Sequence, residues 1–281
     1  MSTKDITIII TSFKSREKIR TCLNSIDKQC RILLIENSND SNFKKNIENE
    51  FINVECVLTG SNLGYGKANN IGLKRVETKY ALIMNPDASL EPSSLKNFFK
   101  TADTIQDFAI ISPYIQEKKD ENAKTITKEI SPILVNNVKG FAMFLNMSEF
   151  KNIGFFDENF FIYFEEIDLC KRLINHNKKI YLDPSIKINH LGGQSHDISI
   201  NKEMELSRNW HWMWSTFNYH KKYKGFFVSF LIVLPKLISA ILKFLLYTLF
   251  LNKAKKDIYY HRYLGLLNAI MGKSSWYRPK V

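Results

Sequence analysis

An acidic segment among aromatic residues, at 156–172, contains the side chains of this chain that are best suited to chemistry. Asp157, Glu165, Glu166 and Asp168 lie there beside Phe and Tyr residues. A carboxylate in apolar surroundings is costly to desolvate unless it is paired, bound to a metal or used. Its pKa can also be tuned for base catalysis. The plain alternative is a solvated helix start, where the helix dipole favours acids.

Upstream of these acids, strand-like and helix-like segments alternate. Apolar runs typical of buried strands occupy residues 6–13, 31–35, 54–58 and 80–84, with helical patterns between them at 16–26, 43–51 and 67–75. This alternation predicts an α/β fold with a mostly parallel sheet and helices on both faces. Ligands bind at the carboxyl ends of the strands in such sheets. The polar residues just past these ends are Asn37, Asp40, Asn62 and Asp87.

Six blocks of residues, in this order, resemble inverting family-2 glycosyltransferases of the GT-A fold, a Rossmann-like α/β architecture. They are residues 8–13, 35–40, 62–70, 84–87, 165–172 and 184–195. Each block is weak by itself, whereas the ordered set is specific. The resemblance is nearest to the rhamnosyltransferase-like branch, which builds bacterial surface polysaccharides. It implies a GT-A domain over residues 1–223 and a nucleotide-sugar donor.

The resemblance also implies a divalent cation, Mg²⁺ or Mn²⁺, on the donor diphosphate, because hard cations take oxygen ligands and stabilise a leaving diphosphate. Asp87, in the sequence Asn-Pro-Asp, resembles the last acid of the family's D-x-D motif, and Asn85 replaces the first acid. His190 resembles a downstream histidine that completes the metal shell. The alternatives are a turn-forming role for Asp87 and a structural role for His190.

Polar residues near the first strands match the nucleotide-binding elements of the family. Glu36 stands where the family usually has an aspartate that reads the pyrimidine N3–H, and its side chain is one methylene longer. Asn37 and Asp40 are assigned to the donor, with capping of the following helix as the alternative. The other residues that the resemblance assigns to donor binding are Thr11, Asn62, Gly64, Asn69, Asn85 and Ser195.

In the acidic segment, the resemblance assigns the catalytic base to Glu166, again a Glu where Asp is usual. Its role is to deprotonate the acceptor hydroxyl during attack on the anomeric carbon. A single displacement of this kind inverts the anomeric configuration. Glu165 and Asp168 are the competing carboxylates. Their alternative roles are orientation, acceptor binding, or a helix-start pair with Lys171 or Arg172.

Positive charge is concentrated at the C-terminal end. The chain of 281 residues has a formal net charge of +12, and residues 221–281, with twelve Lys or Arg and one acid, carry +11 of it. Within this part, residues 226–251 are mostly Phe, Leu, Ile and Val. An apolar stretch flanked by basic residues favours an anionic membrane surface, and we expect no nucleic-acid partner. The sequence therefore predicts a membrane-associating helical region at residues 224–281.

Three residues inside the apolar stretch, Pro235, Lys236 and Lys243, bear on how it meets a membrane. A lysine at the centre of a bilayer costs about 2.5–3.5 kcal/mol. Two interfacial helices broken at Pro235 avoid that cost. The sequence therefore predicts an in-plane anchor rather than a span, with a buried helical hairpin in a soluble dimer as the alternative.

Compartment and substrates follow from these features. The absence of a signal-peptide pattern and of any C-x-x-C pair among the four cysteines is typical of a reduced, cytoplasmic protein. With the anchor, we expect the cytoplasmic face of a membrane and a lipid-linked glycan acceptor. By resemblance, dTDP-L-rhamnose is the leading donor, and galactofuranosyl or N-acetylhexosaminyl transfer is the enzymatic alternative. A non-catalytic sugar-nucleotide-binding scaffold is the alternative of another class, because Glu36 and Glu166 depart from the family's aspartates.

Two other segments give expectations about exposure. Trp210, Trp212, Trp214 and Tyr219 follow the motifs on a predicted helix, where aromatic rings stack on a sugar, sit at a lipid headgroup boundary or pack in the core. Core packing is predicted for at least half of them. The charged segment 116–127 lacks apolar periodicity, which indicates an exposed loop or hairpin.

Overall fold

The chain divides into two compact units in a computed structural model that describes residues 2–114, 131–190 and 196–279. The first, the sheet unit, comprises Met1–Leu63, Lys67–Phe156 and Glu166–Asp197. The second, the hairpin unit, comprises Gly64–Gly66, Asp157–Glu165 and Ile198–Val281. The predicted loop at 116–127 and Ser195 lie outside the described residues. The boundary predicted between residues 223 and 224 stays a prediction.

The sheet unit begins with four parallel strands rich in Ile, Leu and Val. They are β1 Ile6–Ser12, β2 Arg31–Glu36, β3 Val54–Leu58 and β4 Tyr80–Met84, in the order β3-β2-β1-β4. β1 is buried along its whole length, as expected of a parallel strand covered on both faces. The connecting helices are α1 Ile19–Asn24, α2 Ser41–Glu50 and α3 Tyr65–Leu73. The strand–helix alternation predicted for this part of the chain is confirmed.

The second half of the sheet is mixed. Its elements are β6 Ile110–Pro113, β7 Ile133–Leu134, β8 Ala142–Asn146 and β9 Ile180–Asp183, with α4 Ser94–Ile105 and α5 Glu165–Asn175 in the same part of the chain. β8 is antiparallel to both β4 and β6, whereas β6 and β9 are parallel. Rings of Tyr80, Phe98, Phe108 and Phe144 pack together in the core of this half.

A separate two-stranded sheet brings together segments about a hundred residues apart. β5 Ala88–Leu90 pairs antiparallel with β10 Ile188–His190, with His190 opposite Ala88. β5 follows the end of β4 after three residues. The pairing therefore places His190 next to the residues that leave the central sheet.

The hairpin unit is dominated by α6 Asn201–Leu249 and α7 Lys253–Ile270, which pack against each other across a short turn. Gly225, with φ 77° and ψ 172°, divides α6 into two segments. The predicted break at Pro235 is wrong, because Pro235 lies inside the second segment. Proline has no backbone N–H, so Pro235 cannot donate the helical hydrogen bond to the carbonyl of Leu231. Both residues are exposed, so this weakened turn lies on the outer face of the helix.

Burial in the hairpin unit separates its inner and outer faces. Trp210 and Trp214 are buried in its core whereas Trp212 is 42% exposed, which confirms core packing for half of the aromatic set. By length and composition, the helical stretch at 198–249 is long and apolar enough to cross a membrane. Only 17% of its 18 most apolar consecutive residues are buried. All four cysteines, in the sheet unit, are buried free thiols as predicted.

Candidate active site

The carboxyl ends of β1 and β2 hold Glu36 in a closed hydrogen-bond network. Glu36 lies opposite Ser12 in the parallel register and is 2% exposed. Its carboxylate accepts hydrogen bonds from the hydroxyls of Ser12 and Ser38 and from the backbone N–H of Lys14. Burial raises the pKa of Glu36, and these three donors partly offset that effect. The side chain is fixed at the edge where a nucleotide is expected.

Next to Glu36, Asn37 ties the end of β2 to the loop after β3. Its amide donates to Asn62 Oδ1 at 3.0 Å, and its own Oδ1 accepts from the N–H of Leu63 at 2.8 Å. Asn37 therefore shapes the loop that carries Asn62. Thr11, one residue before the end of β1, is buried, and its hydroxyl oxygen has no hydrogen-bond partner among the described residues.

Asp40 caps α2, which was its alternative role. Its Oδ1 accepts the backbone N–H of Phe43 at 2.9 Å, and its Oδ2 is bonded to Arg16. The N–H of Phe43 and then the Arg16 guanidinium lower the pKa of Asp40 against a smaller effect of burial. Asp40 is therefore a charged capping group whose contact with a donor stays a prediction.

Gly64 and Asn69 lie in different settings. Gly64 has φ 87°, and a Cβ there would meet the carbonyl oxygen of Phe161 at 2.2 Å. The next residue, Tyr65, donates its N–H to the same oxygen at 2.8 Å. Gly64 therefore permits close packing on the segment that leads to the acids. Asn69 is fully buried within α3.

Beyond β4 lie Asp87 and His190, the two residues that the resemblance assigned to a metal ion. Asp87 Oδ1 and His190 Nε2 are both buried and lie 3.4 Å apart. The His190 ring stacks on Phe141, with ring centroids 4.7 Å apart. Asn85, which lies before Asp87, donates its backbone N–H to the Phe141 carbonyl at 2.9 Å. Strand pairing and stacking together fix the imidazole beside the carboxylate.

The spacing of this pair fits a shared cation. Two ligand atoms with bonds of about 2.1 Å to one metal lie about 3.0 Å apart at right angles and about 3.4 Å apart at the tetrahedral angle. Carboxylate oxygen and imidazole nitrogen are both metal-ligand atoms. Among the described residues there is no cluster of three or more His, Cys, Asp or Glu that could hold a metal, so a cation there would have only these two side chains of those types, among the described residues, as ligands.

The three competing acids occupy distinct environments at the start of α5. Asp168 is fully buried and accepts from Arg172 Nε at 2.9 Å. The Arg172 guanidinium also donates to the carbonyls of Ile153 and Phe155. Asp168 thus forms the ion pair with Arg172 that was its alternative role. Through Arg172 it stabilises the turn before the acidic segment.

Glu166 is partly exposed, and the pKa of its carboxyl group is raised. Burial raises the pKa of Glu166, and the backbone N–H groups of Glu166 and Ile167 at the start of α5 partly offset that rise. A carboxylate with a raised pKa accepts a proton more readily near neutral pH. Glu165, its neighbour, is buried in the hairpin unit.

The residues just before Glu165 are held in an unusual backbone conformation. Tyr163 and Phe164 both have φ 71°, a left-handed conformation that costs on the order of 1–3 kcal/mol per non-glycine residue. The hairpin unit supports them: Ser215 donates its hydroxyl to the Ile162 carbonyl at 3.0 Å, and Lys222 pairs with Asp157 at 2.7 Å. Strain of this kind persists where surrounding structure imposes it, often at functional sites.

The sequence did not single out the side chains that hold the predicted site residues. Ser12, Ser38, Phe141 and Ser215 are examples. Ser12 could have been found from the sequence, because it ends a buried strand where ligands are expected. The others could not have been found in this way, since they lie far along the chain from their partners or in segments without a motif. A cavity of about 750 Å³ lined by Leu90, Phe99 and other residues contains none of the predicted site residues.

The mostly parallel sheet flanked by helices, together with its likeness to solved glycosyltransferase structures, assigns the chain to the GT-A class of folds. The chain belongs to glycosyl transferase family 2, whose model matches residues 7–170. Both the family and the fold predicted from the sequence are confirmed.

Two curated relatives are prokaryotic enzymes of sugar transfer. The chain is 26% identical over 198 residues to the low-salt glycan biosynthesis hexosyltransferase Agl10 of Haloferax volcanii, covering 63% of this chain and 64% of that protein. This match spans slightly less than two thirds of the relative's length. The chain is 25% identical over 247 residues to the rhamnosyltransferase WbbL of Escherichia coli, covering 75% of this chain and 91% of that protein.

Solved structures show the same fold at low identity. The mannosyltransferase PcManGT of Pyrobaculum calidifontis, in complex with GDP-Man and Mn²⁺, has a TM-score of 0.62 and 12% identity, covering 96% of this chain and 88% of that one. GalNAc-T7 with UDP, GalNAc and Mn²⁺ has a TM-score of 0.54 and 12% identity, covering 66% of this chain and 43% of that one.

Proposed function

We propose that the protein transfers a sugar from a nucleoside-diphosphate sugar to a glycan acceptor, with inversion at the anomeric carbon. The observation that carries this proposal is the Asp87–His190 pair, assembled beyond β4 from distant parts of the chain. L-rhamnose from dTDP-L-rhamnose is the leading donor because of the likeness to a rhamnosyltransferase. Galactofuranosyl and N-acetylhexosaminyl transfer are the alternatives.

Mg²⁺ or Mn²⁺ would be held through Asp87 Oδ1 and His190 Nε2, together with oxygens of the donor diphosphate. A bound cation of this kind supplies Lewis-acid stabilisation of the charge on the leaving diphosphate. The protein's own contribution is to hold the two ligand atoms in place through the β5–β10 pairing and the Phe141 stack. Asn85, two residues before Asp87, would contact the same diphosphate.

Glu166 is the proposed base. It takes the proton of the acceptor hydroxyl as that oxygen bonds to the anomeric carbon and the bond from carbon to diphosphate oxygen breaks. The raised pKa of Glu166 suits this role because the group must hold the proton once it has accepted it. Glu165 and Asp168 then orient the helix start, with Asp168 acting through Arg172.

The donor nucleotide is assigned to the ends of β1 and β2. Thr11 offers a buried hydroxyl whose oxygen has no partner among the described residues, and Glu36 lies on the neighbouring strand, opposite Ser12, the residue after Thr11. The oxygens of Glu36 accept from Ser12 and Ser38. In this arrangement the Glu36 carboxylate would face the N–H of the nucleobase in a fixed orientation. It would take the role that a shorter aspartate side chain has in the family.

The acceptor is proposed to be lipid-linked, with the protein on the cytoplasmic face of a membrane. The second segment of α6 exposes a row of apolar side chains, including Leu231 at 67%, Leu242 at 60% and Leu249 at 81%. Exposed lysines such as Lys221 and Lys253 flank it, and each basic residue near an anionic surface contributes about 1 kcal/mol. Lys236 and Lys243 within the row favour an in-plane anchor.

A panel of nucleotide sugars tests the proposal. The full chain is heated with each sugar nucleotide, with Mn²⁺ or Mg²⁺ and with EDTA, and the Tm is measured, because a ligand that binds the native state raises it by mass action. We expect one donor class to raise the Tm only with metal, and the same donor to release its nucleoside diphosphate when acceptor is added. The absence of any metal-dependent shift across the panel would contradict the proposal.

A further inference from the structure

A small pocket between the two long helices of the hairpin unit is lined by basic and aromatic side chains. It has a volume of about 110 Å³, and the residues around it include Trp212, Lys236, Ser239, Tyr259 and Arg262. A water molecule takes up about 30 Å³ in the liquid, so the pocket has room for one phosphate group and not for a nucleotide. None of the residues that line it is among those assigned to the donor.

The cations of this pocket lack acidic partners. Lys236 and Arg262, which line the pocket, form no ion pair within the described part of the chain, and neither does Lys243 of the adjoining groove. The acid of α7, Asp257, lies 3.9 Å from Lys202 instead. Uncompensated positive charge at one place favours an anionic ligand.

The guanidinium of the pocket is held in a fixed orientation. Arg262 Nε donates to Asn209 Oδ1 at 2.6 Å, and its guanidinium carbon lies 5.3 Å from the centre of the Tyr259 ring. Lys243 Nζ lies 5.2 Å from the centre of the same ring. An oriented guanidinium leaves its terminal N–H groups for a phosphate, which it binds through two parallel hydrogen bonds.

An apolar groove adjoins the pocket. Its volume is about 480 Å³, and it is lined by Leu234, Pro235, Ile238, Ser239, Leu242 and Lys243. Ser239 lines both the groove and the pocket. Residues 238, 239 and 242 lie three, four and seven positions after residue 235, so the four share one helix face. A positively charged pocket continuous with an apolar groove fits an amphiphile with a phosphate head.

Trp212 links the pocket to the acidic segment. Its ring meets the ring of Tyr163 edge-on, with centroids 5.3 Å apart, and lies 5.5 Å from the ring of Phe164. Tyr163 and Phe164 are the two residues before Glu165 in the chain. A phosphate in the pocket would therefore lie beside the segment that leads directly to the proposed base.

We infer that this pocket binds a phosphate of the lipid diphosphate that carries the acceptor sugar, with the lipid chain in the groove at 234–243. The inference rests on the proposed function, since it names the acceptor class of that reaction. The occupant is the acceptor lipid rather than bulk phospholipid, because Trp212 connects the pocket to the acidic segment.

Binding of short isoprenoids to the full chain tests the inference without requiring turnover. Farnesyl diphosphate, farnesol and inorganic diphosphate are titrated in EDTA, which disables metal-dependent binding of diphosphate at the donor site. We expect farnesyl diphosphate to bind at least tenfold more tightly than either of the others, because only it fills both the pocket and the groove. Equal affinity for farnesol, or for inorganic diphosphate, would overturn the inference.

Matched double variants separate the pocket from the general charge of the tail. Lys236→Ala with Arg262→Ala removes two charges from the pocket, and Lys253→Ala with Lys256→Ala removes two from the far end of the hairpin. We expect the pocket variant to lose at least tenfold in farnesyl diphosphate affinity and the control to stay within about twofold. Equal losses would leave only non-specific attraction. Because Lys236 is exposed, the single variant Lys236→Gln keeps the test valid should the double variant fail to fold.

Two further measurements separate this inference from its rivals. Sedimentation with phosphatidylglycerol vesicles should be equal for the pocket and control variants, and a loss confined to the pocket variant would assign the pocket to bulk phospholipid. Metal-dependent binding of the nucleotide sugar should be unchanged in the pocket variant. If the unaltered protein binds no nucleotide sugar, the proposed function fails, whereas the isoprenoid titration still decides the pocket.

Discussion

The carboxyl edge of the sheet unit and the outer face of the hairpin unit use polar and charged residues in opposite ways. At the sheet edge, the carboxylate of Glu36 is buried and accepts hydrogen bonds from its neighbours. On the hairpin, Lys236 has no acidic partner among the described residues, and Leu251 is 90% exposed. A buried, hydrogen-bonded edge suits a small soluble ligand, whereas exposed apolar side chains with unpaired cations suit a lipid surface.

This difference predicts which property, donor binding or access to the lipid acceptor, a mutation in each region should change. Changes at the sheet edge should alter the binding or reaction of the donor, because groups there are preorganised for a bound ligand. Changes on the outer hairpin face should alter access to a lipid acceptor and leave the donor untouched. The following variants would break that division if their effects crossed from one region to the other.

The largest effect is expected from Asp87→Ala. Loss of a carboxylate ligand should lower the transfer rate by on the order of 10²–10³-fold and weaken donor binding only when a divalent cation is present. Donor affinity is measured with Mn²⁺ and with EDTA. Asp107→Ala, an acid whose side chain is 67% exposed and paired with Lys179, is the control and should behave like the unaltered protein. Unchanged metal-dependent affinity in Asp87→Ala would remove this residue from the metal site.

The next largest effect is expected from Glu166→Gln. Loss of the base should lower kcat by on the order of 10²-fold or more, with donor affinity retained. Because burial raises the pKa of Glu166, kcat of the unaltered protein should rise with pH through a pKa above that of an ordinary carboxyl group, and the variant should lose this dependence. If Glu165→Gln or Asp168→Asn is instead the variant that binds donor without turnover, the base has been assigned to the wrong carboxylate.

On the hairpin side, Leu231→Asp with Leu242→Asp should lower liposome binding more than tenfold, because two large apolar side chains are withdrawn from the membrane, each contributing about 1.5–3 kcal/mol. Ile52→Asp is the matched control, since Ile52 is 98% exposed on the sheet unit. Binding is measured by sedimentation with phosphatidylglycerol liposomes. Equal sedimentation of all three proteins would refute the anchor, and a loss of donor binding would show that the two regions are coupled.

Deleting the tail is a weaker test of the anchor than these point variants. Truncation after Tyr223 would remove Leu266 and Ala269, which belong to the same core cluster as Trp210. It would also remove Tyr277, whose carbonyl accepts from His211 Nε2 at 2.9 Å. Burial lowers the pKa of His211 to about 3, so this imidazole stays neutral at neutral pH. The deletion would therefore disturb the packing beneath the acidic segment as well as the anchor.

The smallest effect is expected from Glu36→Gln, measured as stability. Because burial raises the pKa of Glu36, the folded state holds this proton more tightly than the unfolded chain, and the stability from this group is lost as pH rises through the raised pKa. The Tm of the variant relative to the unaltered protein should therefore increase as the pH rises from the pKa of an ordinary glutamate carboxyl group through the raised pKa of Glu36. Glu50→Gln on the surface is the control. A difference that is independent of pH would contradict the raised pKa of Glu36.

Much of the sheet and the order of the motifs could be predicted from the sequence. The strands at 54–58 and 80–84 agree with β3 and β4 to the residue, because buried parallel strands are read from short apolar runs and their flanking turns. The helix expected at 16–26 was too long, since α1 begins at Ile19. Residues before it form turns, and Lys14 has φ 50°, which the apolar pattern does not reveal.

Local pattern thus determined the α/β class, the parallel strands, the buried cysteines and the separate basic, apolar tail. Tertiary structure decided the rest. The pairing of β5 with β10 placed His190 beside Asp87, and packing of α6 on α7 made the pocket at Lys236 and Arg262. It also kept α6 helical through Pro235 and placed its division at Gly225. These features depend on contacts between residues distant in the chain, and the free energy of such contacts is not encoded in any local run of residues.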